Sequence, residues 1–302
     1  MKPKADYIGR FAPSPSGPLH FGSLIAALAS FLDARANHGL WLLRMEDLDP
    51  GREPPQAAGQ ILAALEAFGL LWDGQVLYQS SRLAAYRDAL QRLQQEGYIY
   101  ACDCTRQQIQ AMGGVYDNRC RNRKDMPQDC ALRVRVADRT IHFEDQIQGA
   151  TQQHLMRECG DFVLLRKDGL FAYQLAVVVD DAFQNISSVV RGSDLLDSTP
   201  RQIFLQQCLG FATPHYAHIP VAVNEDNQKL SKQHFATPLD HRTPLPALLR
   251  ALVFLGQPVT KDMTQGDIAS VLHWAIANWD IQAVPKLANI RLESVQQTAS
   301  PE

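Results

Sequence analysis

The chain has 302 residues, of which 46% are hydrophobic and 20% are charged, and no long block carries charge of one sign. This composition excludes a disordered tail and is typical of one large globular domain or two modest ones. The formal net charge of −3 argues against a protein that grips nucleic acid over its whole surface. The apolar segments are too short to cross a membrane, and residues 1–10 lack the apolar run of a signal peptide. We therefore expect a cytoplasmic protein without a membrane partner.

The N-terminal part of the chain predicts a strand, a loop, a helix and a second strand. Residues 7–11 are typical of a short strand, and a loop rich in Pro, Ser and Gly follows over 12–18. Apolar residues at helical spacing predict a helix over 19–37 that Gly39 closes, and residues 40–45 are typical of a buried strand. This order begins a parallel α/β sheet.

Further helices and strands follow in the middle of the chain. Amphipathic patterns predict helices over 54–68 and 80–95, the second with Ser80 as its N-cap. Residues 98–101 are typical of a strand. Residues 132–136 and 140–143 predict the two strands of a β-ribbon.

The remaining segments complete the predicted architecture. A strand is expected over 162–165, and helix and strand patterns alternate again over 170–222. After residue 240 the chain is predicted to be helical to about Trp279, and a loosely packed tail is expected from Ala283. We predict four segments: the first half of a nucleotide-binding sheet (1–100), an inserted subdomain (101–168), the second half of the sheet (169–240) and a helical C-terminal region (241–302).

The loop over 13–22 is the first candidate binding element, because it lies between a predicted strand and a predicted helix. Backbone N–H groups at a helix N-terminus bind phosphate, and Gly17 and Gly22 let a ligand approach the backbone closely. His20 falls in the first turn of the predicted helix. On these residues alone, a loop with a capping histidine explains the pattern equally well.

A second polar segment contains Lys229, Ser231 and Lys232, and by itself it is typical of a solvated loop. Taken together, the two segments resemble the two signature motifs of class I aminoacyl-tRNA synthetases, in their order and in their separation. The resemblance implies a Rossmann-like catalytic fold, ATP with Mg2+ as substrate, and His20 and Lys232 as catalytic residues. Such groups stabilise the charge that builds on phosphoryl oxygens during the transfer. The residues implied in ATP binding are His20, Gly22, Lys229, Ser231 and Lys232.

Blocks at 10–22, 43–49, 171–181 and 190–202 resemble the glutamate-specific branch of that family. The resemblance implies a ligase that activates L-glutamate with ATP. The residue types fit this substrate, because a γ-carboxylate needs a fork of donors and an α-ammonium needs a carboxylate. The residues implied in glutamate binding are Arg10, Phe11, Ala12, Pro13, Ser14, Glu46, Tyr173 and Arg191.

The cysteines form a second candidate site. Four of the six cysteines, from Cys102 to Cys130, fall within thirty residues. In a reducing compartment, such close spacing favours a metal ion over disulfides. Cys102, Cys104 and Cys120 offer three thiolates of a tetrahedral site that suits zinc. Ligand chemistry favours Cys130 as the fourth ligand, whereas the resemblance implies Tyr116. We follow the resemblance and expect one structural Zn2+ bound by Cys102, Cys104, Tyr116 and Cys120.

Only residues 233–302 follow Lys232, too few for the helical region with which full-length glutamate enzymes read an anticodon. The chain therefore resembles the truncated bacterial members of the branch. The resemblance implies a monomer that activates glutamate without tRNA and transfers it to queuosine, the modified wobble base of tRNA(Asp).

Three alternatives remain from the sequence. The first is a minimal glutamyl-tRNA synthetase that charges the tRNA 3′ end, and the short C-terminal region weighs against it. The second is a small adenylyltransferase, which the glutamate-pocket residues disfavour. The third is an inactive binding protein derived from a synthetase, which the retained His20 and Lys232 disfavour.

Overall fold

The computed structural model describes residues 6–113, 115–123, 129–229 and 239–292. Within these ranges, no helix is both long enough and apolar enough to span a bilayer. The strands are β1 (Ile8–Phe11), β2 (Leu40–Met45), β3 (Leu77–Tyr78), β4 (Ile99–Cys102), β5 (Ala131–Val134), β6 (Thr140–Asp145), β7 (Gly149–His154), β8 (Val163–Leu165), β9 (Ser188–Gly192), β10 (His215–Ile219), β11 (Val221–Val223) and β12 (Asn289–Arg291). The helices are α1 (Phe21–Ala36), α2 (Ala57–Ala67), α3 (Leu83–Gln95), α4 (Arg106–Ala111), α5 (Tyr173–Phe183), α6 (Thr199–Leu209), α7 (Pro244–Phe254) and α8 (Ile268–Ala277).

Two sets of parallel strands meet at β1 and β9. Strands β1, β2 and β3 are parallel neighbours, and strands β9, β10 and β6 form the second set. Ile8 joins the two sets, because its N–H donates to Ser187 Oγ at 2.8 Å and its carbonyl accepts from the Ser187 N–H at 2.9 Å. The predicted parallel α/β sheet is confirmed, and the carboxyl ends of its strands are where such sheets bind ligands.

The core lies on both sides of this sheet. Leu28 and Leu32 of α1 pack with Trp41 of β2 in one buried cluster, which also takes in the C-terminal helices α7 and α8. A second cluster contains Leu175 of α5 and Phe204 of α6. Burial of each such side chain contributes about 1.5–3 kcal/mol to folding. The C-terminal helices predicted after residue 240 are confirmed, and they stabilise the first half of the sheet.

Helix ends differ from the predictions at several points. Helix α1 begins at Phe21, so His20 is its N-cap and does not lie in its first turn. At the other end His38, not Gly39, takes the left-handed conformation, with φ of 53°. Gly39 is needed for a different reason, because a Cβ there would lie 2.5 Å from the carbonyl oxygen of Tyr7.

Helix α3 also begins later than predicted. A 3₁₀ turn over Gln79–Arg82 precedes it, and Arg82 is the N-cap. Ser80 is therefore not a cap for α3. Its backbone N–H and its hydroxyl both donate to the carboxylate of Asp47, which ties this turn to the loop after β2.

The predicted β-ribbon between 132–136 and 140–143 is wrong. Strand β5 pairs antiparallel with β4 and β8, while β6 pairs antiparallel with β7 and parallel with β10. The reason is that β5 already has a partner strand on each side. The N–H groups of Val134 and Arg135, for example, donate to the carbonyls of Phe162 and Tyr98 and so do not pair with β6. The three-stranded sheet β4-β5-β8 is thus separate, whereas β6 and β7 extend the sheet that contains β9 and β10. The segment boundaries at 100, 168 and 240 stay a prediction.

The loosely packed tail expected from Ala283 is also wrong within the described residues. Strand β12 pairs in parallel with β11, and Val284 is buried against the first core cluster. The Ser193 hydroxyl donates to the carbonyl of Ala288 and holds this segment against the end of β9. The C-terminal segment therefore supports one side of the sheet edge, and residues 293–302 lie outside the described ranges.

Candidate active site

A cavity of about 590 Å³ lies at the carboxyl ends of β1, β2, β9 and β10. Its volume is typical of a small-molecule site. Ser231 and Lys232 lie outside the described residues, so their predicted roles stay predictions. The residues predicted for glutamate binding all line the cavity, and three of those predicted for ATP binding do so too: Arg10, Phe11, Ala12, Pro13, Ser14, Glu46, Tyr173 and Arg191, with His20, Gly22 and Lys229.

His20 caps the N-terminus of α1 at one end of the cavity. Its Nδ1 accepts a hydrogen bond from the backbone N–H of Ser23 at 3.4 Å. In a neutral ring this contact places the proton on Nε2, so the ring presents an N–H donor beside the N–H groups of the first helical turn. These groups and the helix dipole favour an anion at this end of α1.

Four charged residues form a group that extends inward from the cavity wall, which we call the Asp181 cluster: Arg10 and Glu46, which line the cavity, and Arg44 and Asp181 behind them. Asp181 Oδ1 lies 3.3 Å from Arg10 Nε and 2.7 Å from Arg44 Nη2. Glu46 Oε1 lies 3.6 Å from the same Arg44 nitrogen. Arg10 is 3% exposed and Arg44 is fully buried. Each guanidinium thus has a carboxylate partner, as a buried charge requires.

The two carboxyl groups of the cluster differ in their pKa. Burial tends to raise the pKa of Asp181, but the guanidiniums of Arg44 and Arg10 outweigh it and hold this pKa below its usual range. For Glu46, burial is the largest influence and keeps its pKa above the usual range despite Arg44 and Arg10. Asp181 is therefore the ionised partner of the arginines, while a further cation in the cavity would stabilise the ionised form of Glu46.

Arg191, at the end of β9, is held by several hydrogen bonds. Its Nε donates to His218 Nε2 at 3.0 Å, its Nη2 to Thr199 Oγ1 at 2.8 Å, and its Nη1 to the Tyr173 hydroxyl at 3.4 Å. Burial raises the pKa of Tyr173, so this hydroxyl keeps its proton at neutral pH. Arg191 and Tyr173 can therefore donate to a carboxylate in the cavity, whereas Glu46 can only accept when ionised.

Lys229 belongs to the segment after β11 and reaches the cavity beside the end of β9. Its Nζ lies 2.5 Å from Asp194 Oδ2, and both residues line the cavity. Each of these side chains is at least one-third exposed, so the pair contributes little to stability. Asp194 was not predicted from the sequence, and it places the ammonium of Lys229 at the cavity mouth.

The cysteine cluster lies apart from the cavity, at the end of β4 and in the segment that follows it. The sulfur atoms of Cys102, Cys104 and Cys120 lie within 4.8 Å of one another, so these residues can hold a metal ion. The Tyr116 hydroxyl lies 3.4 Å from the Cys102 sulfur and 3.9 Å from the Cys104 sulfur. Cys130, the alternative ligand, does not belong to this group of three cysteines and packs against the second core cluster instead.

Besides Asp194, four residues that support Arg10 or Arg191 were missed from the sequence: Arg44, Asp181, Asp145 and His218. Arg44 and Asp181 lie inside blocks that resemble the glutamate branch, and a charge within an apolar strand or helix was an available signal. Asp145 and His218 carried no such signal, because their contact joins positions 73 residues apart.

A family model described as tRNA synthetases class I (E and Q), catalytic domain, matches residues 8–262. The structure of a glutamate tRNA ligase from Elizabethkingia meningosepticum, in complex with its amino acid, is similar with a TM-score of 0.79. The two chains are 25% identical, and the likeness covers 96% of this chain and 68% of that one. The chain therefore belongs to the class I tRNA synthetases and is a ligase.

Two curated relatives narrow this class. The glutamyl-Q tRNA(Asp) synthetase of Pseudomonas fluorescens is 52% identical over 286 residues, which cover 95% of this chain and 96% of the relative. The protein of the same name from Pseudomonas aeruginosa is 49% identical over 286 residues, covering 95% of this chain and 98% of the relative. The chain belongs to this glutamyl-Q tRNA(Asp) synthetase family, which confirms the resemblance to the truncated branch.

Replacing Asp181 with Asn should destabilise the protein strongly, because Arg10 and Arg44 would lose their shared buried partner. Breaking such a pair typically costs about 3–5 kcal/mol. The measurement is the free energy of unfolding in urea, with Glu96→Gln as the matched control. Glu96 pairs with Arg92 on the exposed face of α3, where a loss of less than about 0.5 kcal/mol is expected.

The pH dependence adds a second criterion. Folding lowers the pKa of Asp181, so its contribution is present at neutral pH and is lost as the pH falls through the lowered pKa. The difference between the original protein and Asp181→Asn should therefore shrink in acid. Equal stability of Asp181→Asn and Glu96→Gln at neutral pH would contradict the paired role of Asp181.

Proposed function

We propose that this ligase activates L-glutamate with ATP, without tRNA, and transfers the glutamyl group to the queuosine base of tRNA(Asp). The observation that carries the proposal is the cavity itself. One cavity of about 590 Å³ is lined both by the residues predicted to bind glutamate and by residues predicted to bind ATP. The two predictions came from different segments of the sequence. A single cavity for both substrates is what adenylate formation requires, because the reacting atoms must meet.

Glutamate fits the donors and acceptors of the cavity in one orientation. The γ-carboxylate would accept from Arg191, Arg10 and the Tyr173 hydroxyl, and the α-ammonium would donate to Glu46. The raised pKa of Glu46 supports this, because an ammonium would return that carboxyl to its ionised form. Burial of Arg10 and Arg191 makes each charged hydrogen bond stronger than it would be in water.

The activation step joins the α-carboxylate of glutamate to the α-phosphorus of ATP and expels pyrophosphate. Negative charge then grows on the phosphoryl oxygens. His20 and Gly22, at the N-terminus of α1, offer N–H donors to those oxygens, and Lys229 brings an ammonium to the cavity mouth. Ser231 and Lys232 complete the set in our proposal, and Mg2+ bound with ATP would neutralise its phosphates.

In the transfer step, a hydroxyl of the queuosine cyclopentenediol attacks the carbonyl carbon of the adenylate and AMP leaves. The proposal for this acceptor rests on the family to which the chain belongs. The enzyme would act as a monomer in the cytoplasm. Charging of the tRNA 3′ end is the second candidate, favoured by the likeness to a glutamate tRNA ligase.

We further propose that Cys102, Cys104, Cys120 and Tyr116 bind one structural Zn2+. The three thiols and the phenol converge on one point, and thiolates suit zinc. The backbone N–H of Cys120 donates to the Tyr116 hydroxyl at 3.0 Å, which fixes that oxygen beside the sulfurs. None of the four residues lines the cavity, which supports a structural rather than a catalytic role.

The acceptor is tested with radiolabelled glutamate, ATP and Mg2+ and three purified tRNAs: tRNA(Asp) with queuosine, tRNA(Asp) without it, and tRNA(Glu). We expect label only on the queuosine-bearing tRNA(Asp), because only that base offers the cyclopentenediol. The label should persist when the 3′-terminal adenosine has been removed. Label on tRNA(Glu) that requires its 3′ end would establish the charging enzyme instead.

The zinc proposal predicts about one zinc ion per chain in gently purified protein. Cys104→Ser and Cys120→Ser should lose the metal and lower the thermal unfolding temperature, since zinc binding contributes to folding. Cys130→Ser is the matched control and should keep both, because Cys130 lies outside the group. Tyr116→Phe should retain zinc less tightly. Full zinc content in Cys104→Ser, or its loss in Cys130→Ser, would refute the ligand set.

A further inference from the structure

We infer that Asp145 and His218 are positioning residues for glutamate recognition: Asp145 fixes the tautomer of His218, and His218 fixes the guanidinium of Arg191. The inference rests on the proposed function, because it takes Arg191 as the donor to the γ-carboxylate. Neither Asp145 nor His218 lines the cavity. The His218 ring reaches it through Arg191, both directly and through Thr199, whose Oγ1 lies 3.2 Å from His218 Nε2 and accepts from Arg191 Nη2.

The three residues form a continuous buried chain of hydrogen bonds. Asp145 ends β6 and lies 2.6 Å from His218 Nδ1 through its Oδ2. On the other side of the same ring, His218 Nε2 lies 3.0 Å from Arg191 Nε. The side chains of Asp145 and His218 are fully buried, so water does not compete for either contact.

Only one protonation state of His218 satisfies both contacts. The Nε of Arg191 always carries a hydrogen and can only donate, so His218 Nε2 must carry a lone pair. The single ring proton is therefore on Nδ1 and is donated to Asp145. An imidazolium would place its Nε2–H against the Nε–H of Arg191. Burial, together with the charge of Arg191, lowers the pKa of His218, in agreement with a neutral ring.

The carboxylate of Asp145 cannot turn to accommodate another tautomer. Its Oδ1 accepts from three backbone N–H groups: those of Ile147 at 3.0 Å, Gln148 at 2.9 Å and His218 at 3.0 Å. Oδ2 alone is left to face the ring. The backbone of the turn after β6 thereby sets which oxygen meets His218.

The result of this chain is a guanidinium that has one orientation. With Nε directed at His218 and Nη2 at Thr199, the remaining Nη1 is directed at the Tyr173 hydroxyl, and both Arg191 and Tyr173 line the cavity. A carboxylate is recognised well only by donors held in a fixed plane, so loss of this orientation weakens binding without removing the charge.

The substitution Asp145→Asn tests the inference directly. The amide oxygen must stay at the position of Oδ1, where it keeps the three backbone hydrogen bonds. The amide N–H₂ then replaces Oδ2 and donates to His218 Nδ1, so the ring proton moves to Nε2. That proton faces the N–H of Arg191 Nε and displaces the guanidinium.

Two measurements follow on the full-length protein. Ring nitrogen-15 chemical shifts, with the His218 signal assigned from a His218→Gln spectrum, should show a protonated Nδ1 in the original protein and a protonated Nε2 in Asp145→Asn. In glutamate-dependent ATP–pyrophosphate exchange, the KM for glutamate should rise roughly 10- to 100-fold in that variant, while the KM for ATP stays within about twofold.

Tyr216→Phe is the matched control. Tyr216 lies opposite Asp145 in the β6–β10 pair, and its ring stacks on that of His218. The variant keeps this ring and loses only the hydroxyl, which accepts a buried hydrogen bond from Gln206 and none from Asp145, His218 or Arg191. Its KM for glutamate should stay unchanged, which separates positioning from a general loss of packing.

The outcomes distinguish the inference from the proposed function. A normal KM for glutamate in Arg191→Ala would overturn the assignment of Arg191 itself. A raised KM in Arg191→Ala with an unchanged KM in Asp145→Asn would overturn the positioning role alone. If Asp145→Asn does not fold, the spectrum of the original protein still decides, because a protonated Nε2 on His218 contradicts the inference.

Discussion

The site depends on one buried carboxylate, that of Asp181, which lies between the guanidiniums of Arg10 and Arg44. A cavity for an amino acid with two carboxylates must place cationic side chains where water cannot reach them, and a buried charge without a partner is very costly. Asp181 neutralises part of that charge from behind the cavity wall. Its lowered pKa keeps it ionised, so Arg10 can remain buried while it faces the ligand space.

This arrangement also explains why the two halves of the sheet must be joined. Arg10 and Arg44 come from β1 and β2, whereas Asp181 comes from α5, more than a hundred positions later in the chain. The hydrogen bonds between Ile8 and Ser187 bring these elements together at the junction of β1 and β9. The first half of the sheet supplies Arg10 and Glu46 to the cavity, and the second half supplies Arg191 and Tyr173, so neither half forms the site alone.

Local patterns in the sequence were enough for most elements that build the sheet, and short blocks that resemble the family were enough for the predicted residues that line the cavity, although not for Asp194. The prolines and glycines of the loop before α1, the apolar run of β2 and the blocks around Glu46, Tyr173 and Arg191 all carry their signal within a few residues. What could not be predicted depends on contacts across the fold. Strands β5 and β6 have similar patterns, and only the partners of Val134 and Arg135 decide that they do not pair with each other. For the same reason, the hydrogen bonds from Asp145 through His218 to Arg191 and the pairing of β12 with β11 could not be predicted.

We propose that the cavity selects glutamate through fixed cationic donors to its side-chain carboxylate, and that the α-carboxylate is activated without tRNA. The most direct measurement is ATP–pyrophosphate exchange in the absence of tRNA, with glutamate compared with glutamine, which has the same shape but no negative charge on its side chain. We expect kcat/KM for glutamate to exceed that for glutamine by at least about 100-fold. Comparable exchange with both amino acids, or exchange only when tRNA is added, would contradict it.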